Sequence, residues 1–321
     1  MYYTSVLYVC MIRGMENQSI LISGASVAGP ALAYWLRRRE FRPTVVERAP
    51  SLRGGGYAVD FRGGVHLSVL AKMGLLGEIK AQQTHLDTTT YVEADGRRTA
   101  SMPAEIFAGD VEILRGDLGR ILYQATRDGT EYLFGDTITA LDQRADGVHV
   151  TFAHASPRVF DLVIGADGLH SAVRRLAFHN TASARRDLGL YVSIFSVANS
   201  FGLDHAGLLH SVPGRTAAVF SARQTGRAVA QFFFAAPDGT PVGYDYRETG
   251  QQREIVARGQ KQALGGPDFL APATAKQICQ RDRFFRVLSR LPAKRLIRYL
   301  STRTAAAIRL PEYPDPGPAS R

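Results

Sequence analysis

One stretch joins two carboxylates, two glycines and a capping hydroxyl within fourteen residues, Asp161-Leu-Val-Ile-Gly-Ala-Asp-Gly-Leu-His-Ser-Ala-Val-Arg174. It reads as a short buried strand, a tight acidic turn and a helix start. Asp167 stands at the carboxyl end of the strand, the edge at which open α/β sheets bind ligands. Ser171 is placed to cap a helix over Ala172 to Leu176, whose first turn can reach phosphate or ribose. Asp167-Gly168 also suits an ordinary turn, and the stretch alone leaves both readings open.

A second constellation lies nearer the start. Ser19-Ile-Leu-Ile-Ser23 is an apolar strand that runs into Gly24-Ala-Ser-Val-Ala-Gly29 and then a helix, Ala31 to Leu36, with one apolar face. In the pattern G-x-G-x-x-G the first glycine makes the turn, the second admits a pyrophosphate and the third lets the helix pack closely. Ser26 replaces the second glycine, which tightens the fit but keeps a small side chain. The next strand, Thr44-Val-Val46, ends in Glu47, a carboxylate placed for both hydroxyls of an unphosphorylated ribose. Small residues at such a turn also serve packing alone, but both flanking strands and Glu47 favour nucleotide binding.

Two strand-turn-helix units must therefore position these groups. In this order, Gly24 to Gly29, Glu47, Arg115-Gly-Asp-Leu118 and Asp161 to Arg174 resemble the FAD-dependent aromatic hydroxylases. These are group A flavoprotein monooxygenases of the p-hydroxybenzoate hydroxylase and tetracycline-degrading types. The resemblance covers residues 15–250. It implies FAD as cofactor, NADPH or NADH as reductant, molecular oxygen, and an aromatic or polycyclic small molecule hydroxylated through a flavin hydroperoxide. It gives Glu47 the adenosine ribose and Gly24, Ser26 and Gly29 the pyrophosphate, with Arg48 beside the adenine end. Arg53 matches a position where NADPH meets an arginine near the flavin, and Asp60 matches one at the flavin itself. Arg115 matches the arginine that holds FAD, with Leu118 opening the helix behind it, and Asp167 and Gly168 complete the cofactor set. Glycines 54 to 56 would let backbone approach the isoalloxazine ring. Surface exposure in solvent is the plain alternative for Arg53 and Arg115. The flavin would carry the chemistry, so no catalytic side chain is nominated, His66, His170 and His210 included, and no metal is expected.

The implied fold is α/β. A Rossmann-like (GR2-type) FAD-binding domain with a parallel sheet would take residues 15–75 and 105–180. A smaller, mainly antiparallel substrate-binding sheet would take residues 76–104 and 181–252, and a basic helical tail residues 253–321. After residue 180 the strands lengthen and carry Phe195, Phe220, Phe232 and Phe234, residues that suit either an aromatic pocket or sheet core.

The chain departs from the family after Gln252. The third motif, a Gly-Asp pair beside a proline-containing loop, does not occur after residue 200. An internal deletion joined near Ala257 to Gln260 is the expected cause, and it leaves open whether activity is impaired. A non-catalytic FAD-binding remnant or interaction protein is the rival reading, and an NAD(P)-binding reductase a weaker one.

Composition suits a globular chain of about two domains: 321 residues, 45% hydrophobic and 21% charged. Cys10 and Cys279 are too few for a disulfide framework or zinc site, so a reducing, cytoplasmic compartment is the expectation. Residues 1–14 are apolar and tyrosine-rich but too short to span a bilayer, and are expected to be an upstream start-site extension. Residues 253–321 carry 14 Lys/Arg against 5 Asp/Glu, so nearly all of the formal charge of +10 lies there. Apolar residues at helical spacing over Gln277 to Leu291 and Ala293 to Ile308, broken by Pro292, predict two basic helices. Packing on the FAD domain with arginines in solvent is favoured over nucleic-acid or membrane binding, since no nucleic-acid motif accompanies them. Pro311 to Arg321 reads as disordered. Homo-oligomerisation stays open.

Overall fold

The computed structural model describes residues 19–84, 86–103, 109–178, 190–222, 226–235 and 269–289. In chain order the strands are β1 (Ser19–Ser23), β2 (Arg42–Glu47), β3 (Ala58–Phe61), β4 (Thr88–Val92) and β5 (Arg98–Pro103). They continue as β6 (Val111–Leu114), β7 (Glu131–Phe134), β8 (Ile138–Arg144), β9 (Gly147–Phe152) and β10 (Arg158–Phe160). The last are β11 (Leu162–Gly165), β12 (Leu190–Ala198), β13 (Ala206–Val212), β14 (Arg215–Ser221) and β15 (Arg227–Ala235). The α-helices are α1 (Ala28–Arg37), α2 (Gly63–Lys72), α3 (Leu76–Ala81), α4 (Arg115–Gln124), α5 (Ala172–Ala177) and α6 (Ala275–Leu288). Described residues within Met1–Arg53 and Leu118–Thr181 form one compact unit, and those within Gly54–Asp117 and Ala182–Glu312 form a second.

The first unit rests on a parallel sheet ordered β11-β1-β2-β7. Parallel neighbours need a crossover, and α1 supplies it between β1 and β2. Ile20 and Ile22 of β1 cluster with Ala33, Leu32 and Leu36 of α1, while Leu21 points the other way, to Val46, Val150 and Phe160. Alternation thus fills both faces of the sheet, which is why β1 reads as a continuous apolar run. An antiparallel sheet, β10-β9-β8, contributes Ile138, Phe152 and Phe160 to the second cluster. Asp136 fixes the turn into β8: its carboxylate accepts the N–H groups of Thr137, Ala153, His154 and Ala155. Burial raises its pKa, but these four donors outweigh burial and hold the carboxyl below the usual range.

The second unit contains the two-stranded antiparallel ribbon β3-β6 and a six-stranded sheet ordered β12-β15-β14-β13-β4-β5. That sheet is antiparallel except where β13 runs parallel to β4. It has more strands than the parallel sheet, where the sequence suggested a smaller one, because β4 and β5 extend the meander of late strands through pairing with β13. Helix α6 begins at Ala275, two residues before the expected start, on a capping box in which Thr274 and Gln277 satisfy each other's backbone N–H.

The placement of α6 corrects the expectation that it packs on the FAD-binding domain; of its arginines, Arg283 and Arg286 are exposed as expected and Arg281 is not. The helix lies on the second unit's sheet, where Phe285 stacks on Tyr91 with ring centroids 5.8 Å apart. Arg281 is only 9% exposed. Its guanidinium sits 4.0 Å over the Tyr91 ring and donates to Asp282, to Ser211 Oγ and to the Phe269 carbonyl. With its donors so occupied, burial of the charge is tolerated. Residues 1–14, the junction near Ala257 to Gln260, Ala293 to Ile308 and Pro311 to Arg321 lie outside the described residues. Among the described residues no helix is long and apolar enough to cross a membrane, and no cluster of His, Cys, Asp and Glu can hold a metal ion.

Candidate functional site

At the carboxyl edge of the parallel sheet, β1 leads into the glycine turn, β2 ends on Glu47 and β11 ends on Gly165. Gly24 has φ 110°, and a Cβ there would meet the Ala166 carbonyl oxygen at 2.5 Å. A Cβ on Gly29 would fall on the Gly24 carbonyl. The turn is therefore closed to side chains at both glycines. Ser26 is half-buried between them, and α4 approaches it through Gly119, where a Cβ would stand 3.4 Å from the Ser26 carbonyl oxygen.

Glu47 is drawn against this turn. Its Oε2 accepts the Ala25 N–H and its Oε1 the Ala49 N–H, each at 2.9 Å. A carboxylate held this way keeps a further lone pair on each oxygen for two vicinal hydroxyls. Helix α1 starts with no side-chain cap and no acidic residue in its first turn. The positive end of its dipole thus has no counter-charge of its own, the condition for an anion there.

Asp167 is partly turned inward. Its Oδ2 accepts the N–H groups of Ala172 at 2.7 Å and Val173 at 3.2 Å, and the Ser23 hydroxyl at 3.2 Å. Its buried Oδ1 has no partner. Burial raises the pKa of this carboxyl, but the Ser171 hydroxyl and the Val173 and Ala172 N–H groups outweigh it and hold the value below the usual range. A glycine cradle, an uncapped helix and an orphaned carboxylate oxygen fit the adenosine and diphosphate groups of FAD. Gly168 is exposed at φ 78°, and Arg48 and Arg53 are exposed.

Asp60 and Arg115 belong to the second unit. Helix α4 opens at Arg115 rather than at Leu118, which is buried within its first turn. The glycine segment and this helix start lie backbone to backbone: Arg115 N–H donates to the Tyr57 carbonyl and Gly116 N–H to Gly55, both at 3.0 Å. A Cβ on Gly116 would meet the Gly55 nitrogen at 2.5 Å.

Beside Gly55 and Gly56 the second unit lines a half-open cavity of about 520 Å³. Tyr91, Met102, Leu209, Phe220 and Phe233 make much of its wall apolar. Of the aromatic candidates whose side chains are described, Phe220 alone lines it. Phe195 and Phe232 are exposed, with ring centroids 5.4 Å apart, and the side chain of Phe234 lies outside the described residues. Period-two alternation is the reason: Phe233 shares a strand face with Gln231 and Val229, and Phe232 takes the other.

The cavity's polar end holds Asp60, Glu112 and Thr84. Asp60 and Glu112 are directly opposed across β3 and β6. Asp60 accepts the Gly109 N–H at 2.8 Å and Arg62 Nη2 at 3.2 Å. Thr84 Oγ1 donates to Glu112 Oε1 at 2.6 Å. Burial, with the Asp60 charge and hydrogen bond behind it, pushes Glu112 up to about 7 against the opposing pull of Thr84 and Arg62. Glu112, Thr84 and Gly119 are absent from the sequence-derived set. The available signal for Glu112 was a carboxylate between two apolar residues, Val111 and Ile113, in a short strand.

A family model described as an FAD binding domain matches residues 17–278. An uncharacterized protein from Mycobacterium tuberculosis is 44% identical over 241 residues, covering 73% of this chain and 64% of the relative. A flavin-dependent monooxygenase from Legionella longbeachae is 37% identical over 245 residues, covering 75% of this chain and 62% of the relative. Among solved structures, tetracycline destructase Tet(51) aligns with a TM-score of 0.63 at 31% identity, over 83% of this chain and 66% of that one. The chain therefore spans 62–64% of the length of these two relatives.

Proposed function

Because this chain belongs to the family of FAD binding domains, we propose that it is an FAD-dependent monooxygenase acting on an aromatic or polycyclic small molecule, with NADPH or NADH as reductant and molecular oxygen as co-substrate. The observation that carries the reading is the mostly apolar cavity of about 520 Å³ beside Gly55 and Gly56, a volume suited to a molecule of a few fused rings. FAD, when bound, supplies electron transfer and oxygen activation. The chain's own residues do the rest. Glu47 would hold the ribose, and the glycine turn and the start of α1 the diphosphate, while the free acceptor oxygen of Asp167 would suit a hydroxyl of the cofactor rather than its diphosphate. Tyr91, Met102, Leu209 and Phe233 exclude water and orient the rings.

The test is the visible spectrum of the purified chain together with NADPH consumption, with and without a panel of phenols and polycyclic aromatics. A yellow protein whose NADPH consumption rises with one of these compounds supports the proposal. One rival is an FAD-binding protein without turnover, and a yellow but inert protein would select that reading. A colourless protein that takes up no added FAD would overturn both.

A further inference from the structure

Two carboxylates directly opposed on one face of an antiparallel ribbon repel each other, and chains ordinarily avoid the pairing. Here it is built in. β3 and β6 pair in register, with Ala58 opposite Leu114 and Asp60 opposite Glu112, and all four line the cavity. Val59 and Ile113 pair on the other face, and Ile113 is fully buried. Slipping the register to separate the acids would turn this apolar set into the cavity.

The two acids have different surroundings. Asp60 faces two donors, the Gly109 N–H and the Arg62 guanidinium. Glu112 faces the hydroxyl of Thr84, a residue 3% exposed whose own N–H donates to the Glu112 carbonyl at 2.7 Å. Of the other charged or titratable groups, Arg227, Tyr57 and Tyr91 line the same cavity, while Glu78 and Lys80 of α3, the helix packed on β6, are exposed. Arg62 is the cation that reaches both acids. The Arg62 guanidinium, bonded to Asp60, can offset one negative charge beneath an apolar ligand; ionising Glu112 as well would strip a second carboxylate of water opposite one already charged.

We propose that Glu112 is a specificity-determining proton holder of the cavity: its neutral carboxyl group donates to Asp60, keeps the polar end singly charged, and so admits an uncharged aromatic ligand. The inference rests on the cavity reading under Proposed function. When Glu112 loses its proton, covering the acid pair with an apolar ring strips water from two carboxylates. Affinity for a neutral aromatic then falls, and by linkage such a ligand holds the proton on Glu112 more tightly.

The burial-raised value of about 7 places the change near neutral pH. The probe is 2-naphthol, whose hydroxyl stays protonated through this range, titrated calorimetrically into the full chain at about pH 6 and about pH 8. Wild type is expected to bind about tenfold more weakly at the higher pH. Glu112→Gln keeps the shape, the donor to Asp60 and the acceptor for Thr84 without a titrating proton, so it is expected to bind equally at both. Binding that is independent of pH in wild type, or a variant that keeps the wild-type dependence, overturns the role of Glu112 alone. Absence of 2-naphthol binding at either pH overturns the cavity reading with it. Difference infrared spectra of wild type supply a check that needs no variant. A protonated-carboxyl C=O band present at the lower pH and lost at the higher is expected, and its absence sinks the proposal.

Discussion

Asp167 and Glu112 are both half-buried carboxylates, one in each unit, yet they are held in opposite ways. Asp167 takes two backbone N–H groups and a serine hydroxyl on one oxygen, and its pKa is lowered. Glu112 takes one threonine hydroxyl, has a second acid across the ribbon, and is pushed up to about 7. Loss of water is the same in kind at both. The number of donors decides the outcome, and donors come from backbone that ends a strand or starts a helix. At the edge of the parallel sheet backbone N–H groups therefore hold one carboxylate ionised, and in the cavity side-chain surroundings set the charge of the other.

The most damaging change expected from this contrast is in the backbone region. Gly29→Val would drive a branched side chain into the Gly24 carbonyl. We expect a stability loss of about 3 kcal/mol or more, and purified protein without flavin absorbance. Phe233→Ala should leave the flavin in place and remove only cavity wall. If both variants lose FAD together, the two regions do not act separately. The readouts are the visible spectrum after gel filtration and urea unfolding.

The next effect tests the two acids through pH. Asp167, with its folded pKa below 3.8, stabilises the fold above that value, and the contribution is lost as pH falls through the folded value. Asp167→Ala should cost about 1–2 kcal/mol at neutral pH and flatten the acid limb of the stability profile. Glu112 has the opposite sign. Raised from 4.5 to about 7, its contribution is fully present below 4.5 and is lost as pH rises to about 7. Glu112→Gln should therefore be more stable than wild type above neutral pH, by about 2 kcal/mol, and should flatten that limb instead. Parallel profiles for wild type and either variant would show that the donor count does not govern these groups. Urea unfolding across the pH range reads all three.

The same contrast explains what was legible beforehand. Gly24, Gly29, Glu47 and Asp167 could be nominated beforehand because a strand-turn-helix unit imposes residue types at fixed spacing within a short segment. β1 and α1 were equally visible, since an apolar run with both faces covered and a helix with one apolar stripe each leave a period in the sequence. The cavity imposes no such spacing. Its wall comes from strands scattered between Gly55 and Phe233, and from Phe269 just before α6. Phe232 and Phe233 are adjacent, and only the pairing of β15 with β12 and β14 decides which one faces inward. The burial of Arg281 was hidden for a related reason: Tyr91, Ser211 and Asp282, which satisfy it, come from three separate elements. Glu112 could be seen as an acid in an apolar strand, but its partner across the ribbon lies 52 positions away.

That adjacency yields the smallest and most discriminating comparison. Phe233 lines the cavity, whereas Phe232 is 42% exposed and rests on Phe195. Truncating Phe233 to alanine removes ring surface that an aromatic ligand would cover, and should weaken 2-naphthol binding about tenfold. Phe232→Ala removes the same atoms from the opposite face and should change that affinity by less than about twofold, with a stability loss of about 1 kcal/mol or less. Because the residues are neighbours with identical side chains, general loosening of β15 would affect both variants alike. Equal loss of binding would mean that strand integrity, rather than the inward face, carries recognition. A loss confined to Phe233 would place the ligand against that face, because the alternation of the strand is the sole difference between the two positions.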